Sequence, residues 1–160
     1  MPAVIVIQEW WGLNDNIRAM ARRFAGEGYV VLAVDLYEGK VATTSEAAMA
    51  TMQGAMAKPA RLLENLRQAH AYLAKQGKAT KIGVVGWCFG GGWALETALG
   101  IPDGIDAAVM YYGRTQSEPK ALAALQAPLL GLFGGKDQGI PLDGVRQMEH
   151  ELVKLGKNAT

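Results

Sequence analysis

Lys81-Ile82-Gly83-Val84-Val85-Gly86-Trp87-Cys88-Phe89-Gly90-Gly91-Gly92 passes from an apolar, β-rich run through Gly-x-Cys-x-Gly into a helical pattern. Strand, sharp turn and helix in that order form a nucleophile elbow, with cysteine where serine is more usual. The turn holds its central residue in a strained conformation at the carboxyl end of a strand, and Gly86 and Gly90 let neighbouring backbone pass close by. Cys88 then stands at a helix N-terminus, where the dipole and free N–H groups favour a thiolate and a developing oxyanion. The plainer alternative is a structural cysteine in a glycine-rich turn that binds phosphate. A dinucleotide fingerprint, however, requires Gly at position 88, and a phosphate loop of the Walker type requires a Gly-Lys-Ser/Thr ending that the stretch lacks.

Outward from the elbow, short apolar runs alternate with longer helical patterns. Ala3–Ile7, Tyr29–Val34, Lys81–Val85, Ala107–Tyr112 and Leu129–Phe133 are continuously apolar, as expected of parallel strands buried on both faces. A helix capped by Asn14 or Asp15 and stopped at Gly28 carries Ile17, Met20, Ala21 and Phe24 on one face. Pro59 opens a second, with a stripe of Leu62, Leu66, Ala69 and Leu73 that ends near Gly77. Phe89–Leu99 is a third, closed by Gly100. A fourth opens at Pro141, carries Val145, Met148, Leu152 and Leu155, and stops at Gly156. Met49, Met52 and Met56 lie at helical spacing and predict a short helix over the sheet, its methionines filling gaps in the core. The alternation predicts an α/β fold, a doubly wound and mostly parallel sheet flanked by helices, in one domain over residues 1–160.

Two further segments belong to the same sheet edge as the elbow. Leu129–Phe133 runs into Gly134-Gly135-Lys136-Asp137. An aspartate just past a strand's carboxyl end is a turn former when it stands alone; behind a nucleophile elbow it fits the group that orients a catalytic histidine. Gln8-Glu9-Trp10-Trp11-Gly12 follows the first strand. Glu9 is either a surface carboxylate beside two loop-packing tryptophans or a half-buried one that raises the thiol's pKa against the helix dipole. The backbone after this strand is also where such an elbow finds a second oxyanion-hole N–H.

Gln8-Glu9-Trp10-Trp11-Gly12-Leu13-Asn14, Asp35-Leu36-Tyr37, Gly86-Trp87-Cys88-Phe89-Gly90-Gly91, Tyr111-Tyr112-Gly113 and Gly134-Gly135-Lys136-Asp137 occur in an order that resembles the dienelactone hydrolases (carboxymethylenebutenolidases) of the α/β-hydrolase superfamily. The resemblance spans nearly the whole chain. It implies a Cys-His-Asp hydrolase of cyclic dienelactones or related small esters, working without metal or cofactor. Cys88 would be the nucleophile, Asp137 the acid, and Glu9 the carboxylate that contacts the cysteine and gates its activation. Phe89 and the backbone near Trp10 would supply the oxyanion N–H groups, with Tyr112 among the substrate-binding residues. Where such enzymes hold a substrate carboxylate with an arginine after Asp-Leu-Tyr, this chain has Glu38-Gly39-Lys40, which makes Lys40 the candidate, a point charge instead of a bidentate fork.

The histidine of that family lies on a loop beyond the strand that follows the last helix, and this chain closes 23 residues after Asp137. His150 falls opposite the apolar stripe of its helix and is expected in solvent. His70 flanks the stripe of the Pro59 helix and is expected to be structural. The domain is thus expected to lack the family's N-terminal strands and its C-terminal strand and helix. Bared sheet edges would favour a homo-oligomer. Sixteen Lys and Arg against fifteen Asp and Glu, a net charge of +1, leave no electrostatic footprint for nucleic acid or an anionic membrane. One cysteine gives no internal disulfide, the N-terminus has no signal-peptide pattern, and no apolar run approaches a membrane span, so a cytoplasmic protein is expected. Three functions stay open: an ester or lactone hydrolase, a catalytically inactive relative that keeps the pocket as a binding or structural module, and a redox sensor built on Cys88.

Overall fold

In a computed structural model describing residues 1–160, the alternation resolves into eleven elements. These are β1 (Pro2–Ile7), α1 (Asp15–Gly26), β2 (Val30–Ala33), α2 (Ser45–Met56), α3 (Pro59–Lys75), β3 (Lys81–Trp87), α4 (Phe89–Gly100), β4 (Ala107–Tyr111), α5 (Pro119–Leu122), β5 (Leu129–Leu132) and α6 (Leu142–Lys154). All four strand pairings are parallel, and the sheet order is β2-β1-β3-β4-β5. The expected doubly wound α/β sheet is therefore present. Only the single-turn α5, opened by Pro119, has no counterpart in the sequence patterns.

The helix starts follow local chemistry. Asn14 caps α1, its Oδ1 accepting from Ile17 N at 3.1 Å, while Asp15 sits in the first turn where the dipole favours a carboxylate. Thr44 caps α2 in the same way, and Pro59 opens α3. α4 is apolar nearly all round, with nine buried residues, as a helix enclosed by other elements should be.

Alternation along the central strands divides the core. Ala3, Ile5, Ile7, Ile82 and Val84 face a large cluster shared with α3, α4 and α6. Val4, Val6, Val85 and Trp87 face a smaller one centred on Ile17 of α1. This is the period-two geometry of a strand covered on both sides.

After α6, residues 158–160 return to the sheet. Leu129 N donates to Asn158 O at 2.9 Å, Gly131 N to Thr160 O at 2.8 Å, and Thr160 N to Leu129 O at 3.0 Å, with Leu129 and Ala159 bridged in the parallel sense. The outer edge of β5, expected to be bare, is paired here by the segment that returns after α6. β2 is the strand at the other edge. No helix is long and apolar enough to cross a membrane.

Candidate active site

β1 and β3 are adjacent, yet their outgoing connections run in opposite directions: β1 leads to β2 on one side and β3 to β4 on the other. Their carboxyl ends therefore splay apart into the crevice where open parallel sheets bind ligands. Glu9 and Trp10 leave β1 at one lip of it, and Cys88 leaves β3 at the other.

The elbow has the expected strain. Cys88 has φ 56° and ψ −117°, a region that a residue with a Cβ occupies only when its surroundings impose it. Here Cys88 N donates to Tyr111 O at 3.0 Å, and Cys88 O accepts from Gly91 N at 3.0 Å and Gly92 N at 3.2 Å, which begins α4 immediately. The flanking glycines are required by contact. A Cβ on Gly86 would run into the carbonyl of Gly90, and one on Gly90 into the carbonyls of Ile7 and Gln8. That close approach brings the start of α4 against the end of β1 and carries the Trp10 backbone to the thiol.

The nearby backbone N–H groups of Phe89 and Trp10 favour a thiolate at Cys88. Half-burial outweighs them, and the carboxylates of Glu9 and Asp137 add to it, so the thiol is held above its ordinary pKa of 9.0. Of the two expectations for this sulfur, desolvation and negative neighbours prevail over the helix N-terminus.

Tyr112 connects the two lips. Its hydroxyl donates to Glu9 Oε1 at 3.4 Å. It sits at φ 38°, held there by its own N–H donating to Leu132 O at 2.7 Å. Partial burial and the Glu9 carboxylate push the phenol up to about 12. Tyr37 is buried, its ring 5.2 Å from that of Phe89, and its hydroxyl has no hydrogen-bond partner. Burial, then the nearby Cys88, raises its pKa as well. Two of these groups, Cys88 and Tyr112, line one cavity and Tyr37 lies behind it against Phe89, a concentration of displaced proton affinity that is characteristic of working sites.

Asp137 shares the cavity with Cys88 and is also a turn former. Its Oδ1 accepts from Gly139 N at 2.7 Å and Ile140 N at 3.2 Å. The turn-forming role is thus explicit in the Oδ1 bonds, and the residue also borders the nucleophile's cavity. This cavity, of about 320 Å³, is lined by Met52, Met56, Phe89, Trp93 and Ile140 as well as by Cys88, Tyr112, Arg114 and Asp137.

Lys40 is not there. It lines a separate cavity of about 250 Å³ between the Asp35–Lys40 turn and the α2–α3 corner, with Lys58 and Arg61. The turn is tied down by Lys40 N donating to Tyr37 O at 3.2 Å, and Arg61 pairs with Glu38. The cation in the Cys88 cavity is Arg114 instead, which follows the Tyr111-Tyr112-Gly113 run.

The histidines lie elsewhere, as their helix positions predicted. His70 Nε2 is 2.9 Å from Gly104 O in a part-buried structural contact. His150 is exposed on α6 with Nδ1 3.4 Å from Glu151 Oε1. Several residues of the site had not been singled out. Gln8 is fully buried and ties the β1 exit to the β2 exit through Oε1, which accepts from Leu36 N at 3.3 Å. Met52 and Met56 line the cavity, with Met52 also packing on the core as expected, and Arg114 lies 3.7 Å from Glu96 of α4. No group of three or more His, Cys, Asp or Glu side chains is placed to hold a metal ion.

The family model described as the dienelactone hydrolase family matches residues 1–160. This chain belongs to that family. It is 34% identical to a protein of Methylorubrum extorquens provisionally named carboxymethylenebutenolidase, over 98% of this chain and 58% of that one. A protein of Saccharolobus solfataricus with the same provisional name is 32% identical, over 98% of this chain and 74% of the relative. The chain thus spans little more than half the length of the first relative and about three quarters of the second. Among solved structures, one from Klebsiella pneumoniae provisionally identified as a dienelactone hydrolase superposes with a TM-score of 0.86 at 31% identity, covering 99% of this chain and 71% of that one.

Proposed function

We propose that this domain hydrolyses small esters or lactones through a covalent acyl-cysteine. The observation that carries the proposal is the strained Cys88 elbow at the start of α4, packed by Gly90 against the end of β1, with Asp137 lining the same cavity. Cys88 Sγ attacks the carbonyl carbon and the carbonyl electron pair moves onto oxygen, where the N–H groups of Phe89 and Trp10 stabilise it. Collapse of the tetrahedral species breaks the ester C–O bond, and the leaving oxygen takes a proton from the general base that first received the thiol proton. Water then cleaves the thioester and returns the thiol. Glu9 resists loss of the thiol proton until substrate arrives, and Tyr112 holds Glu9 in place. Asp137 is placed to orient a histidine acting as the base, and neither His70, at Gly104 O, nor His150, beside Glu151, stands in this cavity.

The positions of those two histidines also favour a second reading, in which the pocket binds ligands without turnover. Hydrolysis of an activated aryl ester by the domain and by its Cys88→Ala variant separates the two. Cys88-dependent multiple turnover supports the hydrolase with a base in place. A single burst that stops at an acyl-enzyme supports a live nucleophile lacking its base. No release above the Cys88→Ala background leaves the binding module.

The open edge of β2 supports a homo-oligomer. A monomeric mass by sedimentation at micromolar concentration would remove that part of the proposal.

A further inference from the structure

Accepting that Cys88 is acylated by esters, the composition of its cavity specifies which ones. Seven of the twelve lining residues are hydrophobic. Met52 and Met56, one turn apart on α2, face Phe89 and Trp93 on α4, with Ile140 from the loop after β5. The charges are unfavourable to an acid. Glu96 and Asp137 line the cavity, and Glu9 stands behind Tyr112. Against them is one cation, Arg114, whose Nη2 lies 3.7 Å from Glu96 Oε1. Glu96 is one helical turn beyond Gly92, and the backbone of Arg114 packs on Gly92, where a Cβ would meet Arg114 N at 3.3 Å. The fold therefore sets this guanidinium, itself largely exposed, beside the Glu96 carboxylate. Lys40, Lys58 and Arg61 open on the other cavity.

We infer that the Cys88 cavity selects neutral esters or lactones with an apolar acyl group, and that Glu96, by occupying Arg114, is the residue that excludes anionic ones. The acyl chain packs on Met52, Met56 and Trp93, where unbranched thioethers adapt to varied shapes. A substrate carboxylate in the same place faces the carboxylates of Glu96 and Asp137 and a guanidinium that already has Glu96 beside it.

The experiment compares acylation of Cys88 by 4-nitrophenyl butyrate and by the anionic 4-nitrophenyl hemisuccinate, which share a leaving group and are similar in size. Initial nitrophenolate release and the mass of the acylated protein report this step without requiring deacylation. The butyrate ester should react about tenfold faster or more, the scale expected when close charge pairs oppose a ligand. Glu96→Gln should raise the hemisuccinate-to-butyrate ratio severalfold and Arg114→Gln should lower it; a fold defect would not move the two in opposite directions. A hemisuccinate rate equal to or above the butyrate rate, or a ratio unmoved by Glu96→Gln, overturns the inference. If neither ester modifies Cys88, the hydrolase reading fails, and the pocket's preference is read from binding to Cys88→Ala. Tighter binding of phenylacetamide than of phenylacetate then sustains the inference, and the reverse order or equality overturns it.

Discussion

Cys88 is pulled in two directions by groups within reach of its sulfur. The N–H groups of Phe89 and Trp10 stabilise the thiolate; burial first, then Glu9 and Asp137, stabilise the thiol, and the second set wins. At neutral pH the resting group is therefore the thiol. Alkylation by iodoacetamide should be slow there and climb only as pH rises past the ordinary thiol value of 9.0. Glu9→Gln removes a negative neighbour without changing the size of the side chain. Its alkylation profile should move to lower pH, with a severalfold faster rate at pH 8. An unmoved profile would show that Glu9 does not take part in holding the proton on the thiol. Both opposing influences on Cys88 can be named from the sequence, but their balance depends on how much water reaches the sulfur, which no spacing encodes. The same holds for Asp137: a Gly-rich loop after a strand marks a candidate, while the Oδ1 bonds to Gly139 and Ile140 and the shared cavity emerge only on folding.

The elements that deliver these residues depend on a few contacts between backbones. α4 starts directly beneath the end of β1 because Gly90 has no side chain, and Gly86 clears the Gly90 carbonyl in turn. Gly90→Ala should destabilise by about 1–3 kcal/mol, the cost of forcing close-packed backbone apart, and should slow acylation of Cys88 by moving the Trp10 N–H. A chemical denaturation midpoint within error of the parent would contradict this. Leu66 of α3 is fully buried against the sheet. Leu66→Ala should cost about 2–5 kcal/mol by the same denaturation measurement, with no change in the alkylation profile of Cys88. Helix caps, proline starts and apolar stripes are local properties, so α1, α3, α4 and α6 were readable in the sequence. α2 was readable as a helix but its duty was not. Only Ala48 of that helix is fully buried, and Met52 and Met56 border the cavity, because a short helix set beside the sheet's carboxyl edge shares its stripe between the core, which Met52 and Ala55 touch, and a crevice.

Taken whole, the molecule brings protons as well as side chains to one edge of the sheet. Cys88, Tyr112 and Tyr37 all hold a proton more tightly folded than their ordinary values of 9.0 and 10.0 imply. As pH rises above about 9, the unfolded chain releases protons that the native state retains, so stability must fall with pH in that window. The melting temperature should decline between pH 9 and 12 from these groups and be insensitive to them below about pH 8. Tyr112→Phe removes one contributor and should flatten the upper part of the decline; an identical slope would show that Tyr112 does not take part.

The chain read alone already contains the doubly wound sheet, the elbow and the family, because each is carried by residues close together in sequence: apolar period, turn glycines, and short motifs in a fixed order. It also places both histidines away from the chemistry, since helical periodicity alone aims His150 at solvent and sets His70 beside a buried stripe. What it does not contain is any relation between distant segments that depends on shape. That Lys40 opens on one cavity and Arg114 on another follows from the course of the Asp35–Lys40 turn and from the packing of Gly113 on α4. That Glu96 lies beside Arg114 requires a helix and a post-strand loop to meet across 18 residues of sequence. Charge type and position are written in the primary structure; the distances that decide whether two charges add or cancel exist only once the backbone has closed around them.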